Sequence, residues 1–170
     1  MEDVRVPKDR IAVLIGTDGA TKGQIEANTE TILTINSETG IVSIRRKENA
    51  RDPLGEWKAR DIVKAIARGF NPETAMRISE EPDCVLELVE LTEFVQPQHL
   101  DRIRGRIIGR DGKAKERIEE MTSTNIVIYG KTVGIIGKIE DVATAREAVT
   151  RLGNGQEHST VMRFLQRSTV

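Results

Sequence analysis

The sequence repeats itself once, and this repeat limits the possible folds more than any other feature of the chain. Residues 15–19 align with residues 108–112 when the sequence is shifted by 93 positions, and both segments contain the pattern Gly-x-x-Gly. The agreement extends over more than twenty residues without a gap. Its further identities are Lys22 with Lys115, Ile25 with Ile118, Glu26 with Glu119, Thr29 with Thr122, Thr31 with Thr124 and Thr39 with Thr132. We therefore predict two copies of one supersecondary unit.

Each copy has the residue pattern of a strand, a helix, the Gly-x-x-Gly turn, a second helix, two paired strands and a third helix. In the first copy the predicted elements before the third helix are residues 4–6, 9–15, 16–19, 20–28, 31–35 and 41–44. The third helix begins after Pro53 and is expected to bury Trp57 in the core. A further helix is predicted at residues 72–79, and Pro82 ends it.

The second copy continues the pattern to the end of the chain. Its predicted elements are residues 84–91, 98–107, 109–112, 113–121, 125–129, 133–136 and 142–152. A last amphipathic helix follows, with an apolar face of Val161, Met162, Phe164 and Leu165. We predict an α+β protein of two tandem domains packed together, residues 1–80 and 81–170, each with a three-stranded sheet and helices on one face.

Positive charge is concentrated around the second turn. The whole chain has a formal net charge of −1, but residues 102–117 hold seven basic residues and two acidic ones. The basic residues are Arg102, Arg104, Arg106, Arg110, Lys113, Lys115 and Arg117. Such a segment is either a solvated helix face or a surface that binds a polyanion, and charge alone leaves both interpretations open.

The turn itself favours the binding interpretation. Glycine at both ends lets a nucleic-acid backbone approach the main chain, and the helix that follows offers N–H groups and partial positive charge to phosphate. The order of elements resembles the type I KH domain, in which this turn clamps the backbone of about four nucleotides of single-stranded RNA. The candidate RNA-binding residues of the second copy are Arg106, Ile107, Gly109, Arg110, Asp111, Gly112, Lys113, Lys115, Ile126 and Ile128.

Two features of these candidates depend on the fold. Ile107, Ile126 and Ile128, together with Ile118, are expected to line an aliphatic groove for bases, with ordinary core packing as the alternative for some of them. Asp111 repels phosphate unless it points away or caps the following helix, although Arg110 can offset its charge.

The first turn carries fewer cations. Its candidate residues are Gly16, Thr17, Gly19 and Lys22. Thr17 occupies the position of Arg110 and cannot offset the charge of Asp18. We expect the second turn to make most of the RNA contacts, and the alternative role of the first turn is packing against the second domain.

The sequence contains no motif for catalysis or metal binding. Cys84 is the only cysteine and lies in an apolar run, and His99 and His158 are far apart. We therefore expect no enzymatic activity, no cofactor and no metal. No apolar run approaches the roughly 20 residues of a membrane span. The chain begins with acidic residues, where a secretory signal is basic, so we expect a cytoplasmic protein. We also expect it to be a monomer.

Two segments outside the turns carry a family resemblance: residues 61–75, DIVKAIARGFNPETA, and residues 104–109, RGRIIG. With the length and order of the elements, they make the chain resemble, over roughly residues 3–168, the archaeal two-KH-domain ribosome-assembly factors. These are related to the eukaryotic partner-of-Nob proteins and are also called Dim-type or Krr-type KH proteins. The resemblance implies that both domains are type I KH domains.

The resemblance also implies a function and partners. It implies maturation of the small ribosomal subunit, with binding to single-stranded rRNA near the 3′ end of the 16S-type rRNA. The implied protein partners are the endonuclease that trims this end and an initiation-factor subunit. Eukaryotic relatives have a degenerate first module, whereas this chain retains Gly16 and Gly19, which leaves the role of the first module open.

Two other functions compete with this interpretation. One is a protein-binding scaffold with vestigial KH folds, against which the intact glycines and the cations of the second turn argue. The other is a KH adaptor of RNA decay, transcription or translation initiation. KH proteins of decay and transcription usually carry an S1-type barrel or a nuclease domain, for which these 170 residues leave no room.

Overall fold

The chain divides into two units, Met1–Cys84 and Val85–Val170, and the boundary falls after the first residue of the strand Cys84–Glu90, which otherwise belongs to the second unit. The structure, a computed structural model, describes residues 1–169. Each unit contains a three-stranded sheet, and the strand that comes last in the unit lies at the centre of that sheet. Within residues 1–169, no helix combines the length and the apolar character needed to cross a bilayer.

The first unit has the predicted order of elements. Its strands are β1 (Glu2–Arg5), β2 (Thr31–Ile35) and β3 (Ile41–Arg46), and its helices are α1 (Lys8–Ile15), α2 (Ala20–Thr29), α3 (Gly55–Ala67), α4 (Pro72–Ala75) and α5 (Arg77–Glu80). β3 pairs antiparallel with both β1 and β2. A 3-10 turn, Thr17–Gly19, separates α1 from α2.

The second unit repeats the order of strands and helices up to the third helix and then has one longer helix where the first unit has the short helices α4 and α5. Its strands are β4 (Cys84–Glu90), β5 (Asn125–Tyr129) and β6 (Thr132–Lys138), and its helices are α6 (Leu100–Ile108), α7 (Lys113–Thr122), α8 (Ile139–Gly153) and α9 (His158–Ser168). β5 and β6 pair antiparallel, with Val127 opposite Gly134. A 3-10 turn, Arg110–Gly112, separates α6 from α7. The two sheets and their helices confirm the predicted α+β class.

The core of the second unit includes the additional helix α9. The buried side chains of α6, α7 and α9 recur every three or four residues, as one face of a helix requires. They include Ile103, Ile107, Ala114, Ile118, Val161 and Leu165. Each valine, leucine or isoleucine side chain among them stabilises the fold by roughly 1.5–3 kcal/mol when fully buried. α9 is therefore an integral part of the second unit, packed on α7 and α8.

The helix predicted at residues 72–79 is divided into α4 and α5. α4 begins at Pro72, where the side-chain oxygen of Asn71 accepts a hydrogen bond from the Thr74 N–H at 2.8 Å. At Met76 the ψ angle is −18°, which is shallower than that of an α-helix and close to that of a 3-10 turn. The Ser79 N–H accordingly bonds to the Met76 carbonyl, three residues back, at 3.0 Å.

Trp57 lies on the surface, so the prediction that it belongs to the core is wrong. The residue is 59% exposed, whereas Ala59, Ile62 and Ile66 of the same helix are fully buried. Successive helical residues are rotated by about 100°, which puts position 57 on nearly the opposite side of α3 from these three. The hydrophobic character of the side chain suggested burial, but its position in the helix prevents it.

Trp57→Ala is expected to lower the free energy of unfolding by at most about 1 kcal/mol, because the side chain is already largely in water. Ile62→Ala, on the buried face of the same helix, should cost about 3 kcal/mol because it leaves a cavity. Urea unfolding of the two variants measures the difference. Losses of equal size would contradict this orientation of α3.

Candidate nucleic-acid interface

The turn between α6 and α7 has positive φ angles at three of its four positions. The φ angle is 77° at Gly109, 56° at Asp111 and 74° at Gly112. Glycine adopts such angles without strain, and aspartate is among the few other residues that tolerate them. The turn between α1 and α2 agrees with these values to within about 2° at Gly16, Asp18 and Gly19. The residues of the Gly-x-Asp-Gly pattern are therefore the ones that can adopt the backbone angles of this turn, in both units.

The two glycines of each turn have different surroundings. A Cβ atom added at Gly109 would lie 2.5 Å from the Cβ atom of Ala114 and 2.8 Å from its backbone nitrogen, and one added at Gly16 would overlap Thr21. A Cβ atom added at Gly112 or Gly19 would meet no atom within 4 Å. The first glycine thus allows the turn to pack against the next helix, whereas the second faces open space that a ligand can enter.

Several residues shared by the two copies make the same internal hydrogen bonds. Oε2 of Glu119 accepts a hydrogen bond from the Ile126 N–H at 2.9 Å, and Oε2 of Glu26 accepts one from the Leu33 N–H at 2.9 Å. The hydroxyl groups of the shared threonines also bond to one another in pairs, Thr29 with Thr31 and Thr122 with Thr124. These identities join the second helix of each unit to the strand that follows it.

Lys22 and Lys115, both predicted phosphate contacts, each form an ion pair with the glutamate of the same helix–strand junction. Nζ of Lys115 lies 2.9 Å from Oε1 of Glu119, and Nζ of Lys22 lies 3.6 Å from Oε2 of Glu26. Each glutamate lies one helical turn further along and also holds a strand N–H. The charge of each lysine is therefore partly neutralised within its own helix.

A groove of about 750 Å³ lies beside the second turn, between α6, α7 and α9. It is lined by five strongly basic side chains and no acidic one: Arg102, Arg106, Arg110, Lys113 and Arg117. In the part of the chain that the structure describes, all of these except Arg106 lack an ion pair or a side-chain hydrogen bond. A concave surface whose positive side chains are unpaired within the described residues is suited to phosphate.

Asp111, which follows the groove-lining residue Arg110 in the turn, is exposed. Its side chain makes no hydrogen bond to α7 among the described residues, so it does not cap the helix. Arg110, the neighbouring residue, is exposed as well. The turn therefore presents one carboxylate beside the cations of the groove.

Arg106 lines the groove, and its guanidinium group is hydrogen-bonded to backbone carbonyl groups at the end of α8 and in the segment that follows it. Its Nε donates a hydrogen bond to the Leu152 carbonyl at 3.2 Å, and its Nη2 donates one to the Gln156 carbonyl. Nε2 of His158 lies 2.7 Å from the backbone carbonyl oxygen of Arg106. These bonds fix the start of α9 against α6. In the first unit, Arg10 donates similar hydrogen bonds to carbonyl groups near the end of α3. The repeat does not align Arg10 with Arg106.

Most of the isoleucines predicted to line an aliphatic groove are core residues. Ile107 and Ile118 are 0% exposed, and Ile126 is 1% exposed. They fill the space between helices and sheet and offer no surface to a ligand. Ile128 alone of the predicted set is half-buried and packs at the edge of the core.

The first unit has the turn without the cations. The positions equivalent to Arg102, Arg110, Lys113 and Arg117 are occupied by Asp9, Thr17, Ala20 and Gln24. Thr17 and Asp18 are exposed, and Gly16 and Gly19 are partly so. The backbone of this turn can therefore be reached by solvent, but its surroundings lack the positive charge found in the second unit.

Some groove residues were not among the predicted site residues. The signal for Arg102 and Arg117 was present in the charge pattern, since each lies four residues from a predicted cation, Arg106 or Lys113, on the same helix face. His158, Ser159 and Met162 also line the groove. Their sequence positions carry no comparable signal, because their place depends on the packing of α9 against α7 and α8.

The second unit matches a protein-family model for the second KH domain of PNO1, described as a eukaryotic-type KH domain (KH domain type I), over residues 85–169. A KH domain-containing protein of Methanocaldococcus jannaschii is 41% identical over 168 residues, which is 98% of this chain and 73% of that protein. A pre-rRNA-processing protein PNO1 of Phaeosphaeria nodorum is 33% identical over 129 residues, which is 75% of this chain and 49% of that protein. This chain therefore matches about half the length of that fungal relative.

A solved structure is similar over the whole chain. The crystal structure of an a/eIF2alpha–aDim2p–rRNA complex from Pyrococcus horikoshii OT3 contains a chain that is 48% identical and superposes with a TM-score of 0.93. The match covers 99% of this chain and 93% of that one.

Proposed function

This chain belongs to the PNO1 family of KH-domain proteins, and from that premise we propose that it binds single-stranded RNA and acts in maturation of the small-subunit rRNA at its 3′ end. The names of two similar proteins support the proposal, since one is a pre-rRNA-processing protein and the other was crystallised in a complex with rRNA. The proposed activity is binding rather than catalysis.

One structural observation carries the proposal for the second unit. The open side of Gly112, where an added Cβ atom would meet nothing within 4 Å, lies in a turn whose groove holds four unpaired cations. In the proposed mode of binding, the RNA backbone lies against residues 109–112. Arg102, Arg110, Lys113 and Arg117 then neutralise phosphates by charge-assisted hydrogen bonds. Ile128, which is half-buried, is the proposed apolar contact for a base.

The two units are proposed to be tandem type I KH domains, residues 1–80 and 81–170. The support for the first is the shared order of elements and the turn angles at Gly16 and Gly19, which agree with those at Gly109 and Gly112 to within about 2°. Because the first unit lacks the four cations, we assign it at most a weak RNA contact through the backbone of its turn.

The proposed protein partners have different support. An initiation-factor subunit is supported by the a/eIF2alpha present in the Pyrococcus complex. The endonuclease that trims the rRNA 3′ end is proposed from the family resemblance. Action of the protein in the cytoplasm is part of the same proposal.

The salt dependence of binding tests the role of the four cations. Replacing Arg102, Arg110, Lys113 and Arg117 together by glutamine should reduce the slope of log affinity against log salt by about 2 to 3, because each phosphate contact to a single strand contributes about 0.7. Fluorescence anisotropy with a labelled single-stranded rRNA 3′-end oligonucleotide at several salt concentrations measures the slope.

A matched control removes the same number of exposed positive charges from the first unit: Arg5, Lys8, Arg45 and Lys47, each changed to glutamine. The slope should change little in this variant. If both variants lose affinity and slope equally, the attraction is a property of total charge, and the proposed groove is not the binding site.

A further inference from the structure

α9 separates the groove beside the second turn from another basic cluster. This cluster consists of Arg151 at the end of α8 and Arg163 and Arg167 on α9, and it surrounds Phe164. The cavity between these residues has a volume of about 370 Å³, and no acidic side chain lines it. The cluster has no counterpart in the repeat, because α9 follows the last element that the two units share.

Arg151 is held in a defined orientation within the cluster. Its guanidinium carbon lies 4.0 Å from the centroid of the Phe164 ring, and its Nε donates a hydrogen bond to Oε1 of Glu147 at 3.0 Å. The aromatic ring covers one face of the guanidinium group in a cation–π contact. A guanidinium plane held in this way is a surface on which an unpaired nucleobase can stack.

Arg163 and Arg167 supply charge that nothing in the described residues neutralises. Both are exposed, and neither forms an ion pair or a side-chain hydrogen bond within residues 1–169. They lie four residues apart and therefore project from the same face of α9. With the Arg151–Glu147 pair close to neutral, these two residues give the cluster a net positive charge of about two.

The two basic regions meet on the surface of α9. Ser159 lines the groove beside the turn, and Arg163 lines the second cluster. These residues are four positions apart, so they are separated by about one helical turn along α9 and by only about 40° around it. Both are exposed, which leaves a path over α9 that passes from one set of cations to the other.

We propose that an RNA strand held at Gly109–Gly112 continues over α9, where phosphates flanking the clamped nucleotides bind Arg163 and Arg167 and a base stacks on Arg151. This inference rests on the proposed function, since it extends the same strand. An acidic protein segment would also match the charge, but continuity with the cationic groove and the held guanidinium plane favour RNA.

The contribution of the Arg151, Arg163 and Arg167 cluster to binding can be measured by comparing RNAs of two lengths. Affinities would be compared for a single-stranded RNA of about 5 nucleotides, close to the number that the turn clamps, and one of about 12 nucleotides. Arg163→Gln combined with Arg167→Gln should leave the affinity for the short RNA within twofold of wild type. The same variant should lose most of the additional affinity of the long RNA, and the salt slope for the long RNA should fall by about 1.4.

The matched control is Arg45→Gln combined with Lys47→Gln, which removes two exposed charges from the first unit. It should bind both RNAs as wild type does. The proposed path would be overturned if the double α9 variant bound the long RNA with wild-type affinity, or if the control lost as much affinity as the variant. Either result would leave binding at the turn intact. Failure of wild type to bind either RNA would instead overturn the proposed function. If the double α9 variant lost binding to polyglutamate while its binding of the long RNA stayed unchanged, the ligand of the cluster would be an acidic protein segment. That result would also overturn the RNA path.

Discussion

Gly112→Asp is expected to weaken binding of a short single-stranded rRNA oligonucleotide by at least about 30-fold, which corresponds to roughly 2 kcal/mol. The new side chain would enter the open space beside the turn, where the proposed RNA backbone lies. Its carboxylate would repel the phosphates, and like charges brought together in an interface cost several kcal/mol. An anisotropy titration measures the loss of affinity.

Gly19→Asp is the matched control for this change. Gly19 has a φ angle of 76°, against 74° at Gly112, and an added Cβ atom meets nothing within 4 Å at either position. The substitutions should therefore affect folding alike, while Gly19→Asp should lower affinity less than about threefold because the first turn lacks counterparts of the four groove cations. Equal affinity of wild type and both variants would favour a scaffold without RNA binding at the second turn, and equal losses would contradict the different roles proposed for the two turns.

Gly109→Ala is expected to lower the free energy of unfolding by at least about 3 kcal/mol, because two costs combine. The φ of 77° and ψ of 176° lie in a region that is essentially restricted to glycine. The new Cβ atom would also lie 2.5 Å from that of Ala114, so the turn or α7 would have to move. Urea denaturation of the full chain measures the loss.

Gly112→Ala provides the comparison for stability. Its backbone, with φ of 74° and ψ of 7°, is ordinary left-handed helix, and the added methyl group meets open space. The expected cost is about 1–2 kcal/mol from the left-handed angle alone. If the two variants were equally stable, the two glycines of the turn would not have the different roles assigned to them.

The order of elements was predictable because local signals and the repeat agree. The strands at residues 31–35 and 125–129 have the predicted bounds, since each begins just after the end of a helix and ends at a polar or glycine-containing turn. Glycine fixes the turns at 16–19 and 109–112 because left-handed angles occur at both ends. The last helix was also predictable, because Val161 and Leu165 recur at helical spacing on its buried face.

The side-chain roles were harder to predict because they depend on contacts between distant segments. The sequence alone allows Ile107 and Ile126 to face either a groove or the core. In the structure both side chains are buried in the core. Lys115 has the charge expected of a phosphate contact, and the structure adds an ion pair with Glu119 one turn later. Arg106 is bound to carbonyl groups some fifty residues away, near the end of α8, and no local pattern indicates this. The groove beside the second turn also contains Arg102, Arg117 and residues of α9, which were not among the predicted site residues.

The backbone amides of the second turn give the most direct test of the central proposal. Amide resonances of residues 109–113 would be followed by NMR during titration of the full chain with a single-stranded rRNA 3′-end oligonucleotide. The amides of Gly112 and its neighbours should shift strongly, and those of residues 16–20 should shift little. Binding of the oligonucleotide with unchanged resonances at residues 109–113 would contradict the proposal that RNA lies against this turn.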